Sequence, residues 1–200
     1  MKGEDTDRDT FIARAERELD MVGYTQLVNA YQLAKAFHRN QDRKSGERYF
    51  THPRAVAEIL LDFGPSSHEE VVTALLHDVV EDQYILPDFL RQAFGEKIAR
   101  GVVTLTKYTV RLREHGRIEK VEIPTELYYR TIAQAEYFIR RGKMGDRLHN
   151  LRTMLALPSA SKRNKVAETR QWILPFAYTT DERLAKAIDD QCSIVEASCM

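Results

Sequence analysis

Apolar residues recur at three- and four-residue intervals along most of the chain, the signature of helices that bury one stripe. The stripe runs from Asp9 to Asp20 and from Thr25 to His38, where Leu27, Tyr31, Leu33, Ala34 and Phe37 share a face. Polar residues 39 to 48 read as a loop. A third helix is expected from Pro53, whose missing N–H costs nothing at a first helical position, to about Phe63, stopped by Gly64-Pro65. Ser67 with Glu70 three residues on is a capping box, and Val71, Val72, Ala74, Leu75, Leu76, Val79 and Val80 follow as a broad apolar surface. Pro87-Asp88 opens a short helix, and Gly95 opens another that carries Val102 to Leu105 toward Lys107. Residues 107 to 124 look irregular. Pro124-Thr125 precedes a helix to Arg140, Gly142 breaks it, and Lys143 to Leu157 resumes before Pro158. Two helices close the chain, the last announced by Thr180-Asp181. The sum is an all-α fold of about nine or ten helices, with no Asn-Gly hairpin signal.

Composition agrees. The 200 residues hold only 9 Gly and 6 Pro, below the roughly 12% of average proteins, which disfavours a turn-rich all-β fold. Nothing marks an internal boundary, so one domain over 1–200 is expected. Lys plus Arg is 30 and Asp plus Glu is 30; this balance lacks the basic excess of a nucleic-acid binder, so any phosphate recognition must be local. No apolar run suits a membrane span, residues 1 to 10 are unlike a signal peptide, and a cytoplasmic protein is expected. Cys192 and Cys199 show no metal or redox spacing and are expected to be inert, reduced thiols.

Leu76-His77-Asp78-Val79-Val80-Glu81-Asp82 changes the picture. On a helix His77 stacks over Glu81 and Asp78 over Asp82, placing four polar groups on two adjacent stripes of an apolar helix. Unpaired carboxylates there cost several kcal/mol unless a cation or a wet cleft receives them. Glu81 and Asp82 would also oppose the dipole at the end of such a helix. His52 stands at a helix entrance, and Asp146 lies one turn from Asn150 in another apolar helix. His52, His77, Asp78 and Asp146 would form a mixed N/O set suited to Mn²⁺, Fe²⁺ or Zn²⁺ with positions open for water. Such an ion lowers the pKa of water from about 15.7 to about 7. Glu81 and Asp82 would orient that water or shuttle its proton. His149 is expected to be packed or hydrogen-bonded inside the bundle rather than a fifth ligand, and His38, His68 and His115 default to structure or surface.

His52-Pro53, His77-Asp78 and Asp146 resemble the metal-binding set of the HD phosphohydrolase superfamily. Three blocks narrow the resemblance to the hydrolase domain of the RelA/SpoT family: Arg43 to Glu47 with Tyr49 to Pro53, Ala74 to Asp82, and Gly145 to Thr153, in the family's order. Similarity covers roughly residues 25 to 180 and fades after Ala177. Gln83 stands where a Thr is common and Gly145 where an Ala is common. The short chain looks like the small stand-alone alarmone hydrolases of the stringent response. The resemblance implies Mn²⁺-dependent removal, with one ion per chain, of the 3′-pyrophosphate of ppGpp or pppGpp, giving GDP or GTP and pyrophosphate. It implies that His52, His77, Asp78 and Asp146 hold the metal and that Glu81 and Asp82 form an acid/base pair. Arg43, Lys44 and Ser45 match the family's loop at the guanine, and Asn150 and Thr153 match residues lining the nucleoside. Residues 107 to 120, with Lys107, Arg111, Arg113, Arg117 and Lys120 against Glu114 and Glu119, read either as a cover for substrate phosphates or as a plain exposed loop. An HD nucleotidase, an NADPH 3′-phosphatase and a non-catalytic binding or antitoxin module stand as alternatives. Oligomeric state and pairing with a small alarmone synthetase are left open by the residues.

Overall fold

The computed structural model describes residues 2–43, 46–64, 66–112 and 118–199. Helix α1 (Lys2–Glu18) turns at Asp20 into α2 (Met21–Phe37). The Asp20 carboxylate accepts the Gly23 N–H at 2.7 Å, so α2 starts four residues before the expected Thr25. Helix α3 (Thr51–Asp62) also begins earlier than expected, with Pro53 third, where its missing N–H still had no intrahelical acceptor. Gly64 at φ 136° carries the chain away; Pro65, the other half of the expected stop, lies outside the described residues.

Ser67 caps α4 (His68–Leu76) by accepting the Glu70 N–H at 3.2 Å, and Glu70 to Leu76 are all buried. The helix does not continue through the His77-Asp78 pair as expected. It breaks there and restarts as α5 (Val79–Gln83), which Tyr84 ends in the left-handed region. This corrects the dipole argument: Glu81 and Asp82 stand in the first turn of α5, where negative charge is favoured. Helices α6 (Pro87–Phe94) and α7 (Glu96–Leu105) meet at Gly95.

Residues 108–112 and 118–122 are not irregular. Strands β1 (Tyr108–Leu112) and β2 (Ile118–Glu122) pair antiparallel, Tyr108 opposite Glu122 and Leu112 opposite Ile118. The alternation Tyr108, Val110, Leu112 is a period-2 signal, but the strands are too far apart in sequence for a two-residue Asn-Gly turn to mark them. The tip, with Arg113, Glu114 and Arg117, lies outside the described residues.

The expected break at Gly142 is absent. Helix α8 (Thr125–Ala133) ends at Gln134, and α9 (Tyr137–Thr153) runs straight through Gly142 and Gly145. Gly145 serves close packing, since a Cβ there would lie 3.1 Å from Leu60, whereas one on Gly142 would make an ordinary contact with Leu105 at 3.4 Å. The chain closes with α10 (Ser159–Glu168), a π turn (Thr169–Ile173), α11 (Leu174–Thr180) and α12 (Glu182–Ala197), the last capped by Asp181 accepting the Leu184 N–H at 3.1 Å. With α4–α5 taken as one bent helix and α10 through α11 as one run, the described residues form ten helices, an all-α fold carrying one small hairpin. No helix among the described residues is long and apolar enough to cross a membrane. Cys192 is buried, which pushes its thiol up to about 11 and keeps it protonated.

Helix α9 is the axis of the fold, packed against α3, α4, α7, α11 and α12. It is buried nearly throughout from Phe138 to Leu148, although Arg141, Lys143, Asp146 and Arg147 lie in that stretch. Where α7 crosses its start, a Cβ on Gly101 would fall 2.9 Å from both Phe138 Cε2 and Thr73 Oγ1. Gly101→Val is therefore expected to cost about 1–3 kcal/mol by overpacking, read as a lower thermal midpoint.

Candidate metal centre

Three segments deliver the donors. The start of α3 supplies His52, the break between α4 and α5 supplies His77 and Asp78, and the middle of α9 supplies Asp146. One ligand atom from each of His52, His77 and Asp146 lies within 4.8 Å of the others, all three residues buried. Asp78 joins them: its Oδ2 is 3.1 Å from His77 Nε2 and 3.7 Å from His52 Nε2. His52 Nε2 is also 3.3 Å from Asp146 Oδ1, and Tyr49 donates its hydroxyl to Asp78 Oδ2 at 2.6 Å.

Which nitrogens carry protons follows from the neighbours. His77 Nδ1 donates to the Ala74 carbonyl at 2.7 Å, leaving Nε2 to face the carboxylates with no hydrogen-bond partner although it is buried. His149 Nδ1 faces two donors, the Arg43 guanidinium at 3.3 Å and His52 Nδ1 at 2.8 Å; facing a cation makes it the lone-pair nitrogen, which accepts from the closer His52 N–H and leaves His52 Nε2 unprotonated. Two imidazole lone pairs thus confront two carboxylates. The arrangement repels itself unless something positive sits between, and neutral imidazole with ionised carboxylate is the donor set of a divalent cation. Without such a cation a proton is the natural substitute: burial opposes the charge on His77, but Asp78 outweighs it and raises the imidazole to about 9. Asp78 answers in kind, held well below the usual carboxylate range by His77 and His52 against its burial.

The second shell is as specific. Lys143 Nζ donates to Asp146 Oδ2 at 2.8 Å and Asn150 Nδ2 to Oδ1 at 2.5 Å. Burial disfavours both charges of the Lys143–Asp146 pair, yet each holds the other ionised, Asp146 well below and Lys143 well above its ordinary value. His149 is hydrogen-bonded within the bundle and is not among the clustered donors, and its ring supports His52 directly. Burial, His52 and Arg43 together depress it to about 3, so it stays neutral.

Above the donors lies a polar cavity of about 190 Å³ ringed by Arg43, Lys107, Lys143, Arg147 and Lys165. Glu81 lines it; its Oε2 accepts the Lys107 N–H at 3.1 Å, and burial pushes its carboxyl above the ordinary value. Asp82 turns instead toward Gln41, whose Nε2 donates to it at 2.8 Å. Lys120 of β2 donates to the Glu81 carbonyl, so the hairpin rests on this edge of the site. Arg43 Nη2 reaches Asn150 Oδ1 at 3.3 Å and Thr153 Oγ1 at 3.4 Å, bringing three of the residues matched to the substrate loop and nucleoside lining together. Lys44 and Ser45 lie outside the described residues. Arg43, Tyr49, Asn150 and Lys165 also border a neighbouring cavity of about 480 Å³ whose far wall is Met154, Ala156 and Leu157.

Residues 30–178 match the model of the HD domain, and the chain belongs to the HD domain family. Among curated proteins, the guanosine-3′,5′-bis(diphosphate) 3′-pyrophosphohydrolase of Haemophilus influenzae is 35% identical over 149 residues, 73% of this chain and 21% of that protein. The bifunctional (p)ppGpp synthase/hydrolase SpoT of Escherichia coli K12 is 35% identical over 158 residues, 76% of this chain and 21% of its own length. A GTP pyrophosphokinase of Streptomyces coelicolor is 35% identical over 160 residues, 76% and 18% respectively. The chain spans about a fifth of the length of these relatives. A solved structure of a metazoan SpoT ortholog described as hydrolysing ppGpp superposes with a TM-score of 0.69 at 21% identity, covering 84% of this chain and 94% of that one, which shows a shared fold.

Proposed function

We propose that this chain is a metal-dependent phosphohydrolase that removes the 3′-pyrophosphate of ppGpp and pppGpp, releasing GDP or GTP and pyrophosphate. The observation that carries this reading is a buried His52–His77–Asp146 cluster opening into a cavity ringed by five cations. Relatives named for (p)ppGpp hydrolysis support the substrate. We assign the metal to His52, His77, Asp78 and Asp146, and one Mn²⁺ per chain suits two imidazoles with two carboxylates. When bound, such an ion supplies Lewis acidity toward a phosphoryl oxygen and acidifies water.

The protein groups then divide the work. Arg43, Lys107 and Lys165 neutralise the diphosphate, and the 480 Å³ cavity takes the nucleoside against Met154 and Leu157 with Asn150 and Thr153 at its edge. Glu81 accepts the proton of the attacking water; its raised affinity for a proton suits that role. Asp82, hydrogen-bonded to Gln41 and absent from the cavity lining, braces the turn that bears Glu81 rather than carrying its proton. Water attacks the phosphorus attached to the ribose 3′ oxygen, the bond to that oxygen breaks, and the 3′-hydroxyl is restored by protonation.

Incubating Mn²⁺-loaded protein with ppGpp, NADPH and ordinary nucleotides, and separating pyrophosphate from phosphate, tests the reading. Pyrophosphate with GDP from ppGpp is expected; phosphate from NADPH alone would replace the proposal with the 3′-phosphatase. Glu81→Ala is expected to lower kcat by about 100-fold or more while Mn²⁺ affinity stays near wild type. An equal loss of both would make Glu81 a structural residue.

A further inference from the structure

A second basic cavity, sharing no lining residue with the metal site, lies between the end of α2 and the start of α3. Lys35, Arg39, Arg48 and Arg54 converge on about 220 Å³ of space floored by Tyr31 and Phe50, and no carboxylate lines it. Acids outside the cavity meet two of these cations: Arg54 Nε is 3.5 Å from Glu58 and the exposed Arg48 is 3.9 Å from Asp42. Lys35 and Arg39 have no ion pair among the described residues. Both also lie near the negative C-terminal end of α2, which accounts for their placement there. It does not account for Arg48 and Arg54, which arrive from the following loop and from α3.

An independent observation comes from His38, which lines the same cavity. It is 1% exposed, its Nδ1 is hydrogen-bonded to Gln41 Oε1 at 2.8 Å, and its buried Nε2 has no partner among the described residues. Buried polar atoms are nearly always paired in folded proteins, and with Nδ1 donating to Gln41 the orphan Nε2 is a lone pair that calls for a donor, such as a protonated phosphoryl oxygen or a water.

We propose that this cavity binds a compact oligophosphate, either free diphosphate or the phosphate tail of a nucleoside triphosphate, at a site distinct from the metal centre. Four positive groups around one space call for a ligand of several negative charges, and guanidinium forks match phosphoryl oxygens bidentately. The volume is below the 300–1,000 Å³ or so of pockets that enclose whole organic ligands, which selects a small anion or the tail of a larger one.

Calorimetric titration of the full chain in EDTA-containing buffer, with inorganic pyrophosphate in one arm and ATP in the other, tests the site. Lys35→Glu/Arg39→Glu, both at exposed positions, is expected to weaken binding by about 10-fold or more. Arg48→Ala, on the other wall, weakens it by a smaller step, and it decides the question should the double reversal lower the thermal midpoint. Tighter pyrophosphate assigns the site to the free anion, and tighter ATP assigns it to a nucleotide tail. Isotherms unchanged in both variants, or no binding to the wild-type chain by either probe, overturn the proposal.

Discussion

Replacing His77 by alanine is expected to remove divalent-ion binding and to cut alarmone hydrolysis by more than about 100-fold with the helical fold intact. Losing a group that merely orients a ligand costs 10- to 100-fold in related metal sites, so losing a donor costs more. Outside the donor cluster of His52, Asp78 and Asp146, His77 makes one hydrogen bond, to the Ala74 carbonyl, and Asp78 keeps the Tyr49 hydroxyl in its absence. Asp78→Ala should behave alike for the same reason. Mn²⁺ titration by calorimetry, turnover, and far-UV circular dichroism on the same samples check this. Wild-type metal affinity in either variant would remove that residue from the donor set.

The largest effect on stability is expected at Arg141. Its guanidinium is 1% exposed and joins three helices: Nη2 donates to the Leu60 carbonyl at 3.0 Å on α3, Nη1 to Glu70 Oε2 at 3.4 Å on α4, and Nε stands 3.2 Å from the Asp181 carboxylate that caps α12. Burial pushes Glu70 up to about 7 even with Arg141 opposing it. Arg141→Ala leaves that carboxyl buried without its cation, at a cost of about 3–5 kcal/mol. For a chain of this size each kcal/mol is worth about 2–4 °C in the thermal midpoint. The pH dependence has a definite sign. Folded Glu70 binds its proton more tightly than unfolded Glu70, so its contribution to stability is full below the unfolded value and fades as pH rises through about 7. The deficit of Arg141→Ala should therefore shrink in acid, and Glu70→Gln should recover part of it at neutral pH. Thermal melts of the three proteins between pH 5 and 8 measure this.

Much of the site was legible because its chemistry is concentrated in short blocks. His77-Asp78 inside an apolar helix is a local contradiction that asks for a cation, and the blocks around His52 and Asp146 gave it company. The supporting groups were not legible. Lys143 reads as an ordinary solvated charge until α9 is found buried on nearly all sides, and His149 acquires meaning only when Arg43 arrives from over a hundred residues away. Helix limits failed where tertiary contacts overrode local signals. Gln134 to Glu136 are acceptable helix formers, yet the helix stops there and Glu136 pairs with Arg100 of α7. Gly142 punctuates the sequence, yet α9 is buried on both sides of it and that packing holds the helix through.

Helix α9 carries the fold's business on successive turns: Arg141 for cohesion, Lys143 and Asp146 for the ion, Arg147 toward α10, Asn150 and Thr153 for the loop bearing Arg43. Each residue advances a helix by about 100°. An insertion or deletion of one residue before Asp146 would swing the carboxylate and everything after it to the wrong side of the rod together. Losing one side chain along this rod removes one of these contacts, whereas a change in its length displaces every one beyond it, so drift in chain length during evolution has to be absorbed in the connectors at either end.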